Sequence, residues 1–186
     1  MQENPSAIDI LEILKPSSPL DWVSVIVLLD QIPRNCFRGP DAAIVYNFFD
    51  PKALDLALQA IEAGIPEHPQ VRYRQGYRFW FYMPLEHSER KDMQELVARE
   101  HQKMFADSLK LMDAPANQLE SDARQCRDSL MRRRARFEGW VSTLQQLDRQ
   151  HRAELDHFGH FPRRNEALQR PSTEEEVAYL REAGRH

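Results

Sequence analysis

An all-α fold is predicted by three features of the sequence. Apolar residues recur at spacings of three and four, prolines mark the starts and breaks between these segments, and there is almost no period-2 alternation. Amphipathic helices joined by short turns pack as antiparallel pairs, so the expected architecture is helical hairpins in a compact bundle or a short superhelix. No clean repeat of about 34 residues is present.

The first helix is expected from Pro19 to about Gln31. Ser18 can cap it, Pro19 suits the first turn, and Asp21 favours the positive end of the dipole. Pro33 is expected to end it, because the residue before a proline avoids helical geometry. Asp50-Pro51 repeats the start signal. Leu54, Ala57, Leu58 and Ile61 then follow at helical spacing, and Gly64 stands where a left-handed C-cap belongs.

From Arg72 to Met83 the chain turns aromatic, which predicts a helix apolar on several sides in the middle of the fold. Tyr73, Tyr77, Phe79, Trp80 and Phe81 either line a pocket or fill the core, and the core is preferred because large aromatics dominate core burial. A helix over about Glu89 to Met112 shows a stripe of Met93, Leu96, Val97, Met104 and Phe105. A further helix runs from near Leu119 to Leu147, and His151 to Phe158 either continues it or forms a shorter one. The pair Ser172 and Glu175 offers a capping box for a last helix through Val177 and Leu180.

The 186 residues are 41% hydrophobic and 29% charged, which suits one ordinary core. Residues 1–186 are therefore expected to form a single domain, with 1–17 poorly ordered. The longest apolar run, Trp22 to Leu29, is short of the roughly 20 residues a membrane span needs. The opening Met1-Gln2-Glu3-Asn4-Pro5 lacks the features of a secretory signal, so a cytoplasmic protein without a membrane partner is expected. Cys36 and Cys126 belong to no paired motif and are expected to be core thiols. The net charge of -4 disfavours nucleic acid as the main partner. Arg132, Arg133, Arg134 and Arg136 fan around a helix and read as a solvated face with acidic partners.

Three clusters could carry chemistry. The first corner places Asp30, Gln31, Arg34, Asn35 and Arg38 around Pro33, where a planar guanidinium suits carboxylate or phosphate. The plainer reading is that Arg34 and Asn35 cap helix ends and satisfy buried carbonyls. Glu86, His87 and Ser88 follow the aromatic segment, and a carboxylate near an imidazole can do acid–base work. Adjacent residues on a helix do not face each other, so Glu86 or His87 could instead meet the arginines. The third cluster gathers His151, Asp156, His157, His160, Arg163, Arg164, Asn165 and Arg170. His157 and His160 have a spacing compatible with shared metal ligation, but Gly159 and Pro162 argue against a continuous helix there, and no metal or other cofactor is expected.

The segments Pro33-Arg34-Asn35 and Pro162-Arg163-Arg164-Asn165 echo each other, as if two equivalent corners faced one another. The stretches LLDQIPRNCFRG, MPLEHSE, HFGHFPRRNEALQR and STEEEVAYL, in that order, closely resemble the domain of unknown function 924 family. The resemblance runs from Trp22 to Leu180. It implies a TPR-like all-α fold and no established activity. By motif match, the family's typical polar positions fall on Asp30, Gln31, Arg34, Asn35, Arg38, Glu86, His87, Ser88, His151, Arg164 and Asn165. The chain departs in having only Ile8 to Leu14 where the family carries an aromatic-rich helical stretch. It also has His160 where the family often has Arg, Arg163 where it often has His, and Gln169 where it often has Gly.

Two functional readings follow. The preferred one is a binding module whose Arg34, Asn35 and histidines hold a small anionic ligand or an acidic peptide. The other is an enzyme in which His87 or His151 acts as acid or base, Glu86 or Asp30 orients it, and Arg34 and Arg164 bind a carboxylate or phosphate. A fully satisfied polar network that specifies the fold without any ligand is the third alternative.

Overall fold

Helix α2, Pro19–Cys36, opens as predicted. Ser18 Oγ accepts from the Asp21 N–H at 3.2 Å, and Asp21 Oδ2 accepts from the Ser18 N–H at 2.8 Å. The computed structural model describes residues 5–183, and all regular structure among them is helical, with no strand. A shorter helix precedes it, α1, Ala7–Leu14, whose Ser6 and Asp9 form a second capping box.

Pro33 does not end α2. The helix continues to Cys36 with Pro33 buried inside it, because the downstream ladder survives: the Phe37 N–H donates to Pro33 O at 2.8 Å. A proline inside a helix costs about 3 kcal/mol through the missing bond and the clash of its ring with the preceding turn, and packing of the buried ring offsets part of it. The consequence reaches the site, since Arg34 keeps helical register one turn after Asp30. Cys36, on the last turn, is exposed and Cys126 half-buried, so neither is the core thiol the sequence suggests.

Asp50-Pro51 does not start a helix from open chain either. Short turns at Ala42–Ile44 and a π-helical turn at Val45–Phe49 lead straight into α3, Asp50–Glu62. Pro51 lacks the N–H that would keep the ordinary spacing, and the wide turn sits just ahead of it. Asp50 has helical backbone (φ −56°, ψ −46°) and caps nothing. Its carboxylate is therefore available to the arginines. The buried face of α3 is Ala53, Leu56, Ala57 and Ala60, rotated from the predicted stripe, with Leu54, Leu58 and Ile61 at its margins. Gly64 closes the end in the left-handed region at φ 69°, as predicted.

The aromatic segment is central but is not one helix. It is divided into turns at Gln75–Arg78, Phe79–Phe81 and Met83–Glu86, because Arg74 leaves helical geometry (φ −104°, ψ 84°) and Pro84 cannot donate. Phe81 and Tyr82 are fully buried. Helices α4 (Lys91–Asp113), α5 (Ser121–Arg132) and α6 (Arg134–Phe158) complete the bundle, α6 lying along α4. The break at Arg133 (φ −116°, ψ 23°) has no breaker residue to explain it. His151 to Phe158 continues α6 until Gly159 ends it at φ 77°.

The last helix, α7, Glu174–Ala183, is capped one residue later than predicted. Thr173 and Glu176 form the reciprocal pair, while Ser172 Oγ accepts from Asn165 Nδ2 at 3.1 Å. Just before it, Gln169 adopts φ 53°, a left-handed conformation that favours glycine. Gln169→Gly is expected to stabilise the protein by roughly 0.5–1 kcal/mol, relief of that strain exceeding the added freedom of the unfolded chain. An unchanged or lower denaturation midpoint would show the strain to be absent.

Candidate functional site

The two echoing corners meet across Asp50. Arg34 Nη2 donates to Asp50 Oδ1 at 2.5 Å, and Arg164 Nη1 lies 3.7 Å from Asp50 Oδ2. Three segments are needed for this: α2 carries Arg34, α3 carries Asp50, and the 3₁₀ turn Pro162–Arg164 carries Arg164. That turn is pinned from below by Glu89, which accepts from the Phe161 N–H at 2.9 Å and pairs with both terminal nitrogens of Arg170 at 3.0 and 2.8 Å. Burial pushes the Glu89 carboxyl up, yet these partners hold it below the usual range.

The middle motif supplies two imidazole–carboxylate pairs. His87 Nδ1 donates to Asp30 Oδ1 at 2.7 Å, and His151 Nδ1 donates to Glu86 Oε2 at 2.8 Å. Glu86 and His87 thus point to different partners, as adjacent residues must. Both carboxylates are 1% exposed. Burial works to raise the Asp30 carboxyl, but the His87 hydrogen bond and charge, with Arg34, hold it below the usual range. Asp50 goes the other way, because there burial outweighs Arg34 and Arg164 and pushes the carboxyl up. No partner is seen for Nε2 of His87 or His151 among the described residues.

These groups surround a cavity of about 280 Å³ lined by Arg34, Tyr46, Glu86, His87, His151 and Arg164, with Met83, Leu147 and Arg163 completing its wall. It opens toward larger grooves on either side, one beside Arg38 and Gly39 and one between α6 and α7. Arg164 stacks over Tyr46 at 4.4 Å and donates to His87 O at 2.5 Å. Burial nevertheless dominates, and holds its guanidinium below the ordinary arginine value despite Asp50 and Glu89. Two buried atoms of the rim, Arg34 Nε and Asp50 Oδ2, have no hydrogen-bond partner.

Other predicted residues lie apart. Gln31 supports Asp30 through its amide, and Asn35 donates to Gln31 O on the exposed side of α2. Arg38 is exposed and only lines the outer groove. Ser88 accepts from the Arg90 N–H, and Asn165 is spent on Ser172 and Glu176. His157 pairs with Glu175 and His160 with Glu176, each at 2.8 Å, so the two histidines do not share a ligand position. Asp156 meets Lys91 at the surface.

The sequence reading missed His101 and Asp148. His101 Nδ1 lies 3.1 Å from Asp148 Oδ1 and 3.7 Å from Glu86 Oε1, which extends the Glu86 pair into the core between α4 and α6. Their signal was present: each is a polar residue one turn from apolar stripe positions, His101 between Val97 and Phe105, Asp148 after Leu144. Tyr46 and Asp50 were missed as site residues as well: Tyr46 lies in a π turn that no local pattern announces, and Asp50 reads only as a helix start.

No curated protein matches the chain. The solved structure of a protein of unknown function from Agrobacterium tumefaciens is similar to it, with a TM-score of 0.59 at 27% identity over 89% of this chain and 69% of its own. A family model described as bacterial protein of unknown function, DUF924, matches residues 6–184, and the chain belongs to that family.

Proposed function

We propose that the cavity binds a small carboxylate- or phosphate-bearing molecule through Arg34 and Arg164. The observation that carries this is the contrast between two buried arginines. Arg78, with no exposure, is opposed by burial but is raised by Tyr82 and Asp107, which satisfy it. Arg164 faces the cavity, is held down by burial, and shares one buried carboxylate with Arg34. An anion between the two guanidinium groups would supply the missing counter-charge and a bidentate partner. At about 280 Å³ the cavity is below the range typical of drug-sized ligands and suits a small molecule better than a peptide side.

Calorimetric titration with inorganic phosphate and with small dicarboxylates tests the proposal. Binding is expected for the wild type and loss of at least tenfold in affinity for Arg164→Met, the range of one charge-assisted contact being about 1.5–3 kcal/mol. Equal affinity in the variant sinks the reading. An acid–base enzyme is the second reading, favoured by one observation: both imidazoles line the cavity, and each is anchored at Nδ1 by a buried carboxylate, which leaves Nε2 to act. Its check is turnover of a bound ligand, expected to vanish in His87→Gln or His151→Gln while binding persists.

A further inference from the structure

We propose that Glu86, His101 and Asp148 hold a divalent first-row metal ion at the inner wall of the cavity. Each side chain offers one ligand atom, and the three atoms lie within 4.8 Å of one another. His101 Nδ1 stands 3.1 Å from Asp148 Oδ1 and 3.7 Å from Glu86 Oε1. Ligands about 2.0–2.2 Å from a metal stand roughly 3–3.5 Å apart at tetrahedral or octahedral angles, so small rotations admit an ion.

Charge and hydrogen bonding point the same way. Glu86 and Asp148 are 1% and 4% exposed, and no lysine or arginine touches either carboxylate among the described residues. Arg152, one turn after Asp148, donates to the Asp148 backbone carbonyl instead. A divalent ion between the two buried carboxylates would neutralise both at once. Glu86 Oε1, turned toward His101, is buried with no hydrogen-bond partner. That is the position a cation would occupy.

Neighbouring side chains hold the ligand groups in place, while the outer ring nitrogen of His101, Nε2, is buried with no hydrogen-bond partner. His151 holds the other Glu86 oxygen at 2.8 Å. Phe79 and Phe105 each lie nearly parallel to the His101 ring, with centroids 6.1 and 6.0 Å from it. Gln94 Nε2 donates to the carbonyls of Leu85, Glu86 and Ser88, fixing the turn that carries Glu86. Because Glu86 also lines the cavity, the ion would have an entry path and an open side for water or ligand. One imidazole with two carboxylates suits zinc or manganese better than calcium or magnesium. This inference is independent of the anion reading, which rests on Arg34 and Arg164.

The test is calorimetry of chelator-stripped protein with Zn²⁺ and, separately, Mn²⁺, joined to X-ray absorption at the zinc edge. One ion per chain is expected, coordinated by a single imidazole nitrogen and oxygens. Asp148→Asn and His101→Gln, checked for folding by circular dichroism, should weaken binding at least tenfold. His157→Gln, at an exposed surface pair, should leave it unchanged. Failure of stripped wild-type protein to bind either ion overturns the proposal. So does binding that survives in a folded Asp148→Asn variant, or a shell containing two nitrogens or any sulfur. Should both buried variants fail to fold, the absorption spectrum of the wild type decides alone.

Discussion

Arg78→Met is expected to be the most damaging single substitution outside the apolar core, costing about 3–5 kcal/mol as the removal of one partner from a buried ion pair does. Arg78 has no exposure and donates to Tyr82 Oη at 2.9 Å, Asp107 Oδ2 at 2.6 Å, Arg72 O at 3.3 Å and Glu67 Oε1 at 3.4 Å. Methionine fills much of the volume but leaves the Tyr82 hydroxyl without its partner in the core. Burial already pushes that hydroxyl above its ordinary range against the pull of Arg78, so it will stay neutral and poorly satisfied. Asp107 retains Arg72 at 2.5 Å, which limits the damage there. At 2–4 °C per kcal/mol for a chain of this size, the melting temperature should fall by roughly 6–20 °C. The companion measurement is Arg164→Met, expected to cost less than Arg78→Met, because Asp50 keeps Arg34 at 2.5 Å when Arg164 is removed. Equal losses in the two variants would remove the distinction on which the binding proposal rests.

That distinction was not visible in the sequence, where Arg78 lies in an aromatic run and Arg164 in a dense polar motif. What was legible was helical periodicity, and the caps at Ser18 and Gly64 came out as written. Local rules failed where tertiary packing outweighed them. Pro33 was overruled by the continued ladder and by burial of its ring. Asp50-Pro51 does open its helix as expected, but a π turn leads into it, so Asp50 is not spent as a cap. Both departures lie at the site. An α2 that ended at Pro33 would not hold Arg34 one turn from Asp30, and an Asp50 spent on capping could not meet Arg34.

The candidate site was half legible for a related reason. Residues within polar motifs stand out against a hydrophobic background, so Asp30, Arg34, Glu86, His87, His151 and Arg164 were all named, and the structure brings them together. Motif membership does not say which way a side chain turns, and Asn35, Arg38 and Asn165 belong to the motifs without reaching the cavity. His101 and Asp148 are single polar residues in apolar stripes, forty-seven positions apart, and only packing of α4 on α6 pairs them. Helix pairing is a long-range property that periodicity cannot supply.

The two aspartates beside Arg34 are expected to respond to acid in opposite directions. Asp30 has a folded pKa below its unfolded value of 3.8, so the unfolded chain takes up its proton first as pH falls. Its stabilising contribution is complete above that value and disappears as pH drops through the folded pKa. Asp50 has a folded pKa above 3.8, so the folded chain takes up its proton first. Its contribution is present below 3.8 and is lost as pH rises through the folded value. Asp30→Asn should therefore be clearly less stable than the wild type near neutrality, with the gap narrowing on acidification. For Asp50→Asn the wild type's advantage should instead grow as pH falls from above the folded pKa toward 3.8. Urea unfolding at steps between about pH 6 and pH 3 reads both gaps from the midpoints, each unit of pKa difference being about 1.4 kcal/mol. If the two gaps move in the same direction, burial does not outweigh Arg34 and Arg164 at Asp50. Opposite movement would mean that Asp30, held by His87 and Arg34, secures the fold in its ionised form, while at Asp50 burial outweighs the two arginines that share it.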